Sequence, residues 1–127
     1  MLNKAQLIGN LGQKPQLVTT NSGLSVTSLR VATSDRRKDK ESDQWIEQVE
    51  WHSVVLFGKQ AENASKYLDK GSRVFVEGRI QTRKWQDKEG NDRYSTEIVA
   101  KDVKYLSSKG SKSSDEQYDE NYEEVPF

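Results

Sequence analysis

Trp45-Ile46-Glu47-Gln48-Val49-Glu50-Trp51-His52-Ser53-Val54-Val55-Leu56-Phe57-Gly58 is the longest stretch of strand character in the chain. Val49, Trp51, Val55 and Phe57 share one parity, and His52, Val54 and Leu56 share the other. Successive side chains of a strand point to opposite faces, so both faces carry apolar groups. A barrel strand buries one face in the core. The other then needs a cover, either a ligand or another subunit.

Toward the C-terminus the period changes. Ala61, Ala64, Tyr67 and Leu68 fall at helical spacing over residues 59–70, and Gly71 is placed to cap that helix. Residues 72–85 read as a strand with Val74, Val76 and Ile80 facing inward and Phe75, Arg79, Arg83 and Trp85 of opposite parity. Residues 87–92 are a polar hairpin tip, and residues 94–106 form the last strand. Toward the N-terminus, residues 34–44 contain nothing apolar and read as a solvent-exposed loop or hairpin tip. Residues 24–33 are a Val-, Thr- and Leu-rich strand, preceded by the turn signal Asn21-Ser22-Gly23. Residues 4–12 are a short strand closed by glycines; Pro15 breaks it, and residues 16–20 continue it after a bend. The order is strand, strand, strand, helix, strand, strand. That predicts an all-β fold, a five-stranded Greek-key barrel of the OB-fold type with one helix between strands three and four.

The barrel is expected over residues 1–106, followed by a flexible Ser/Gly/Lys linker at 107–114 and a disordered acidic tail at 115–127. The chain has 127 residues and formal net charge zero, but all 20 Lys and Arg lie within residues 1–112. Residues 115–127 carry six acids and no base, so the first 114 residues hold +6 (20 bases less 14 acids) and the last 13 hold −6. This asymmetry fits a polyanion-binding body with an acidic interaction tail, or a tail that only aids solubility. There is no cysteine, which excludes disulfides and thiolate metal sites. No apolar run has the length of a membrane-spanning helix or signal peptide, so no membrane association and a cytoplasmic, nucleoid-associated location are expected.

Single-stranded nucleic acid needs a basic groove for phosphates and rings on which bases stack. Trp51 and Phe57 share one strand face, and Trp85 ends strand four beside Arg83 and Lys84. The competing placement for these rings is the barrel core. It is a serious competitor for Phe57 and a weak one for Trp85, which sits in the polar run Thr82-Arg83-Lys84-Trp85-Gln86-Asp87-Lys88. Cations interleave with the rings: Arg36, Arg37, Lys38 and Lys40 in the first long loop, Arg79, Arg83 and Lys84 on strand four, and Lys59 and Lys70 at either end of the helix. An enzyme is disfavoured by one His, no Cys and no phosphate-cradling glycine loop. Asp87, Glu89 and Asp92 could hold a metal, but a polar hairpin tip explains them better; no cofactor and no metal are expected.

Over residues 1–106 the chain closely resembles the bacterial single-stranded DNA-binding protein family. The matching stretches are Ile8-Gly9-Asn10-Leu11-Gly12, Val31-Ala32-Thr33-Ser34, Glu50 through Lys59, Tyr67-Leu68-Asp69-Lys70-Gly71, Thr82-Arg83-Lys84-Trp85 and Asp92-Arg93-Tyr94. The resemblance implies binding of single-stranded DNA largely without sequence preference. It gives Trp51, Phe57 and Trp85 the role of base-stacking residues, and Lys4, Lys40, Lys59, Lys70, Arg83 and Lys84 that of phosphate contacts. Arg30 falls at a DNA-facing position, and Arg37 at one where the family frequently has a further stacking tryptophan; both are expected to contact phosphate. Trp45 is a nearby ring, at the far end of the loop. Ser53 stands where relatives often carry Arg. His52 matches a histidine near subunit contacts, and a homotetramer is implied. The end Glu123-Glu124-Val125-Pro126-Phe127 resembles the family's acidic tip, which implies docking on replication, recombination and repair proteins. Physically, Phe127 would enter an apolar pocket and its carboxylate meet a base, with Pro126 limiting the entropy lost. Two relatives in fold stay open as alternatives: a primosome accessory protein, disfavoured by the acidic tip, and an RNA-binding OB protein.

Overall fold

The structure is a computed structural model and describes residues 1–107. The linker beyond Ser107, the acidic tail and the tip residues Glu123 to Phe127 lie outside the described residues. The elements are β1 (Ala5–Leu11), β2 (Val18–Thr19), β3 (Ser25–Lys38), β4 (Trp45–Phe57), α1 (Lys59–Tyr67), β5 (Arg73–Gln86) and β6 (Asp92–Tyr105). The five long strands close into a barrel, β1-β5-β6-β4-β3 and back to β1. All pairings are antiparallel except the closing contact of β4 with β6, which is parallel and joins Val54 to Ile98 and Val55 to Val99.

The period-two pattern of β4 decides which side is core. Val54 and Leu56 are fully buried, together with Leu29 and Val31 of β3 and Val74 and Val76 of β5. The register explains the match: Leu29 stands opposite Val54, and Thr27 opposite Leu56. Directly opposed residues of a strand pair share a face. Helix α1 adds buried Ala61 and Ala64, and Leu68 just beyond it joins the same cluster.

Several expectations are corrected. Residues 16–20 do not extend the first strand; Val18 and Thr19 form a separate two-residue strand on β3, opposite Val26 and Ser25. The helix therefore lies between β4 and β5 once this short strand is counted. Residues 34–38 are strand, and only 39–44 are turn. A two-stranded ribbon with solvent on both sides needs no apolar parity, so its polar sequence concealed it. The turn is closed by Asp39, whose carboxylate accepts from the Ser42 hydroxyl at 2.7 Å. That bond, with help from the Glu41 amide, holds Asp39 below its usual carboxylate pKa. Gly71 does not cap the helix. The helix ends at Tyr67 with Leu68 already extended, and Gly71 (φ 90°) makes the following turn, its amide donating to the Leu11 carbonyl. Ile80 keeps the inward parity of Val74 and Val76 but is 47% exposed, because β5 and β6 run past the barrel as a ribbon.

The last two strands shift register between Glu77 and Gly78: Glu77 opposes Asp102 and Gly78 opposes Ala100, leaving Lys101 unpaired as a bulge. A Cβ on Gly78 would stand 2.1 Å from the Val99 carbonyl oxygen. The close approach of the two backbones requires glycine there.

Candidate nucleic-acid interface

The register assembles one continuous outer face across β3, β4, β6 and β5. Trp51, Ser53, Val55 and Phe57 share a parity on β4, and Ala32, Arg30, Ser28 and Val26 stand opposite them on β3. The parallel closure carries this face from Val55 to Val99 and so to Glu97 and Ser95. Antiparallel pairing then carries it to Arg79, Gln81, Arg83 and Trp85 on β5. All three expected stacking rings therefore lie on one side of the sheet, and none is core: Trp51 is 49%, Phe57 43% and Trp85 42% exposed.

Each ring is held by its surroundings. Trp51 lies directly over Gly12, where a Cβ would meet the indole Cζ3 at 2.4 Å and Cη2 at 2.6 Å. The Arg30 guanidinium sits 5.8 Å from the Trp51 ring centroid and donates to the Ser53 hydroxyl at 3.1 Å. Arg30 thus brings its charge to the place of Ser53 from the neighbouring strand. The Trp85 indole N–H donates to the Ser95 hydroxyl at 2.8 Å, which fixes the ring plane across the ribbon. Beside Trp51 a pocket is lined by Arg30, His52, Ser53, Ile80, Ser95 and Glu97.

The cations divide into paired and unpaired. Arg83 Nε lies 3.3 Å from the buried carboxylate of Glu97, which also accepts from Gln81 at 3.4 Å. Lys84 pairs with Asp92 at 3.3 Å, and Lys4 with Glu77 at 3.3 Å. Gln6 donates to the same Glu77 carboxylate, and this bond, with Lys4, holds Glu77 below its usual pKa. Among the described residues, Arg30, Arg36, Arg37, Lys40, Lys59, Lys70 and Arg79 make no ion pair. Parity separates them further. Arg36 and Lys38, opposite Glu47 and Trp45, share the face of Trp51, whereas Arg37, opposite Ile46, is on the other face of the ribbon. Likewise Lys84, opposite Tyr94, is on the face away from Trp85. Lys59 opens α1, Lys70 lies just beyond its end, and Lys40 is in the β3–β4 turn. Arg36, Lys38 and Arg79, expected only as cations interleaved with the rings, belong to this face, and so does Glu97, which the sequence did not single out; the strand register was the missing signal.

His52 faces inward with Val31 at the edge of the core, and its Nε2 shares a 2.8 Å hydrogen bond with the Thr33 hydroxyl. Asp87 is engaged by its own turn. It accepts from the amides of Asn91 and Glu89, both at 2.9 Å, and from Arg93 Nε at 3.0 Å. These bonds, the Asn91 amide foremost, hold its pKa below the usual value. Asp92 accepts from the Gln86 side-chain amide at 3.3 Å and pairs with Lys84, so Asp87 and Asp92 both serve the hairpin.

The chain is similar in structure to the Plasmodium falciparum SSB in complex with ssDNA, with 32% identity and a TM-score of 0.74 over 84% of this chain and 97% of that one. It is also similar to a deletion mutant of the single-stranded DNA binding protein from Thermus aquaticus, with 35% identity and a TM-score of 0.71; the match covers 86% of this chain and 52% of that one. Residues 2–106 match the model of the single-strand binding protein family. With the barrel, the outer face of rings and this match across the whole described domain, the chain belongs to the single-strand binding protein family.

Proposed function

We propose that this chain binds single-stranded DNA largely without sequence preference, by stacking bases on Trp51, Phe57 and Trp85 while Arg and Lys side chains meet the phosphates. The observation that carries the reading is the placement of three half-exposed rings and unpaired cations on one outer sheet face. Every base offers a π-face, so such a surface grips without reading sequence. The ssDNA complex of the Plasmodium falciparum relative supports the same ligand. The reading is of a binding protein, not an enzyme: labelled strands incubated with the pure protein and Mg²⁺ are expected to stay intact.

The test is a tryptophan fluorescence titration with poly(dT) at several salt concentrations. Emission is expected to fall on binding, and affinity to fall with salt. Trp51→Ala and Trp85→Ala are each expected to cost about 1–3 kcal/mol. Preference for duplex, or absence of quenching, would overturn the reading. Competition between poly(dT) and poly(U) decides whether RNA is also a ligand.

Two finer parts belong to the same proposal. The chain assembles as a homo-oligomer, a tetramer by resemblance, with His52 near the subunit contacts. A groove where Ile8 and Phe75 stand opposite each other on the barrel exterior, bordered by Gln6 and Lys104, supports an interface between subunits. The tip Glu123-Glu124-Val125-Pro126-Phe127 recruits replication, recombination and repair proteins. Deleting Phe127 is expected to abolish partner pull-down and leave DNA binding intact.

A further inference from the structure

We propose that Trp45, with Arg36 beside it, is a fourth stacking platform that extends the strand's path along the β3–β4 ribbon. The proposal rests on the single-strand reading of the outer face given above. Trp45 is the most exposed of the three tryptophans, at 62%. The ribbon beneath it, residues 34–38 and 45–50, is exposed throughout, so no core holds the indole there. A large apolar ring left in water without a core to join is a surface awaiting a partner.

The register says which partner. Trp45, Val49 and Trp51 share one parity of β4, so the ring lies on the same face as the Trp51 platform. Six residues of strand separate the two rings, about 20 Å at the usual rise. Exposed Val49 lies between them on this face, as does Glu47, which stands opposite Arg36. The Arg36 guanidinium stands 5.6 Å from the Trp45 centroid. Among the described residues Arg36 makes no ion pair, whereas neighbouring Lys38 is held by Asp43 at 3.0 Å. A ring open to a base, with an unpaired guanidinium at its side for the adjoining phosphate, reproduces the pairing of Trp51 with Arg30. The two units differ in support, Trp51 resting on the barrel at Gly12 and Trp45 on the ribbon, and in the residue opposite the guanidinium, Ser53 for Arg30 and Glu47 for Arg36.

The competing role for this pair is a diagonal cross-strand contact that merely staples the hairpin. A variant with Trp45 as its sole tryptophan, W51F/W85F, separates the two. Binding of fluorescently labelled poly(dT) is followed by anisotropy while Trp45 emission is recorded in parallel. A stacking platform quenches in proportion to bound DNA. Bound DNA with unchanged Trp45 emission would overturn the proposal. In the otherwise unaltered chain, Trp45→Ala is expected to weaken binding about 5- to 140-fold and Trp45→Phe to restore most of the loss. Affinity of Trp45→Ala within twofold of the parent would equally overturn it. If the unaltered chain does not bind poly(dT) at all, the single-strand reading itself falls. If it binds and loses affinity only on Trp51→Ala, this inference alone falls.

Discussion

Gly12→Ala probes how the Trp51 platform is seated without touching the ring itself. Gly12 is not among the glycines with positive φ, so alanine is conformationally allowed. The added Cβ would lie 2.4 Å from Trp51 Cζ3, where ordinary contact begins near 3.4 Å, so the indole edge must retreat by the difference, about 1 Å. The backbone need not move, because the obstructing atoms are the far end of a side chain that can turn. Turning it off its preferred rotamer costs about 0.5–1.5 kcal/mol when the bound state demands the original plane, a loss of roughly 2- to 12-fold in affinity. Folding stability should hold or rise slightly, since replacing glycine at a compatible position contributes about 0.4–1 kcal/mol through the unfolded chain. The assay is anisotropy of a labelled dT oligomer, run on Gly12→Ala, Trp51→Ala and the double variant. The expected pattern is a loss on Gly12→Ala that vanishes in the Trp51→Ala background. A loss that persists in full without the indole, or no loss at all, would refute the idea that Gly12 is the ring's seat.

Other consequences can be measured as directly. Glu97→Gln removes the negative charge that neutralises Arg83 on the outer face; affinity for poly(dT) should rise, and the slope of log K against log salt should steepen by up to about 0.7, whereas weaker binding would mean that Glu97 chiefly positions Arg83. Gly78→Ala drives a Cβ into the Val99 and Ala100 backbone, so the thermal midpoint should fall by the equivalent of about 1–3 kcal/mol, and an unchanged midpoint would contradict the tight β5–β6 approach. Asp87 has a folded pKa below its unfolded value, so its stabilisation of the hairpin tip is present above the ordinary carboxylate value and is lost as pH falls through the folded one; amide signals of Glu89 and Asn91 should shift together in an NMR acid titration.

The barrel was legible because burial imposes period two. Val54 and Leu56 had to be inside whatever the register, and the helical spacing of Ala61 and Ala64 followed the same logic. The ribbons were not legible for the opposite reason. Residues 34–38 bury nothing, so no pattern distinguishes strand from loop or one face from the other. That is why Arg37, chosen by its position in a motif, lies across the ribbon from Trp51, and why Arg36 and Lys38 share its face instead. Strand β6 has no single inward parity because the unpaired Lys101 shifts it, with Ile98 and Val103 both turned to the core side. The aromatic platforms were legible as residue types in polar settings; their union on one face needed the parallel closure of β4 with β6.

That closure, together with β1, also dictates the order in which the molecule can be made. β1 is the first strand of the barrel in chain order, yet its partners are β3 and β5, with Ala5 opposite Gly78. β4 meets its parallel neighbour only when β6 exists. No early segment of the nascent chain can complete the barrel, and pairings between distant residues carry the largest loop-closure cost. Folding should therefore wait for the last strand and be slow for a domain this small, with most of β1 left without its main partner, β5, until nearly the entire barrel sequence has left the ribosome.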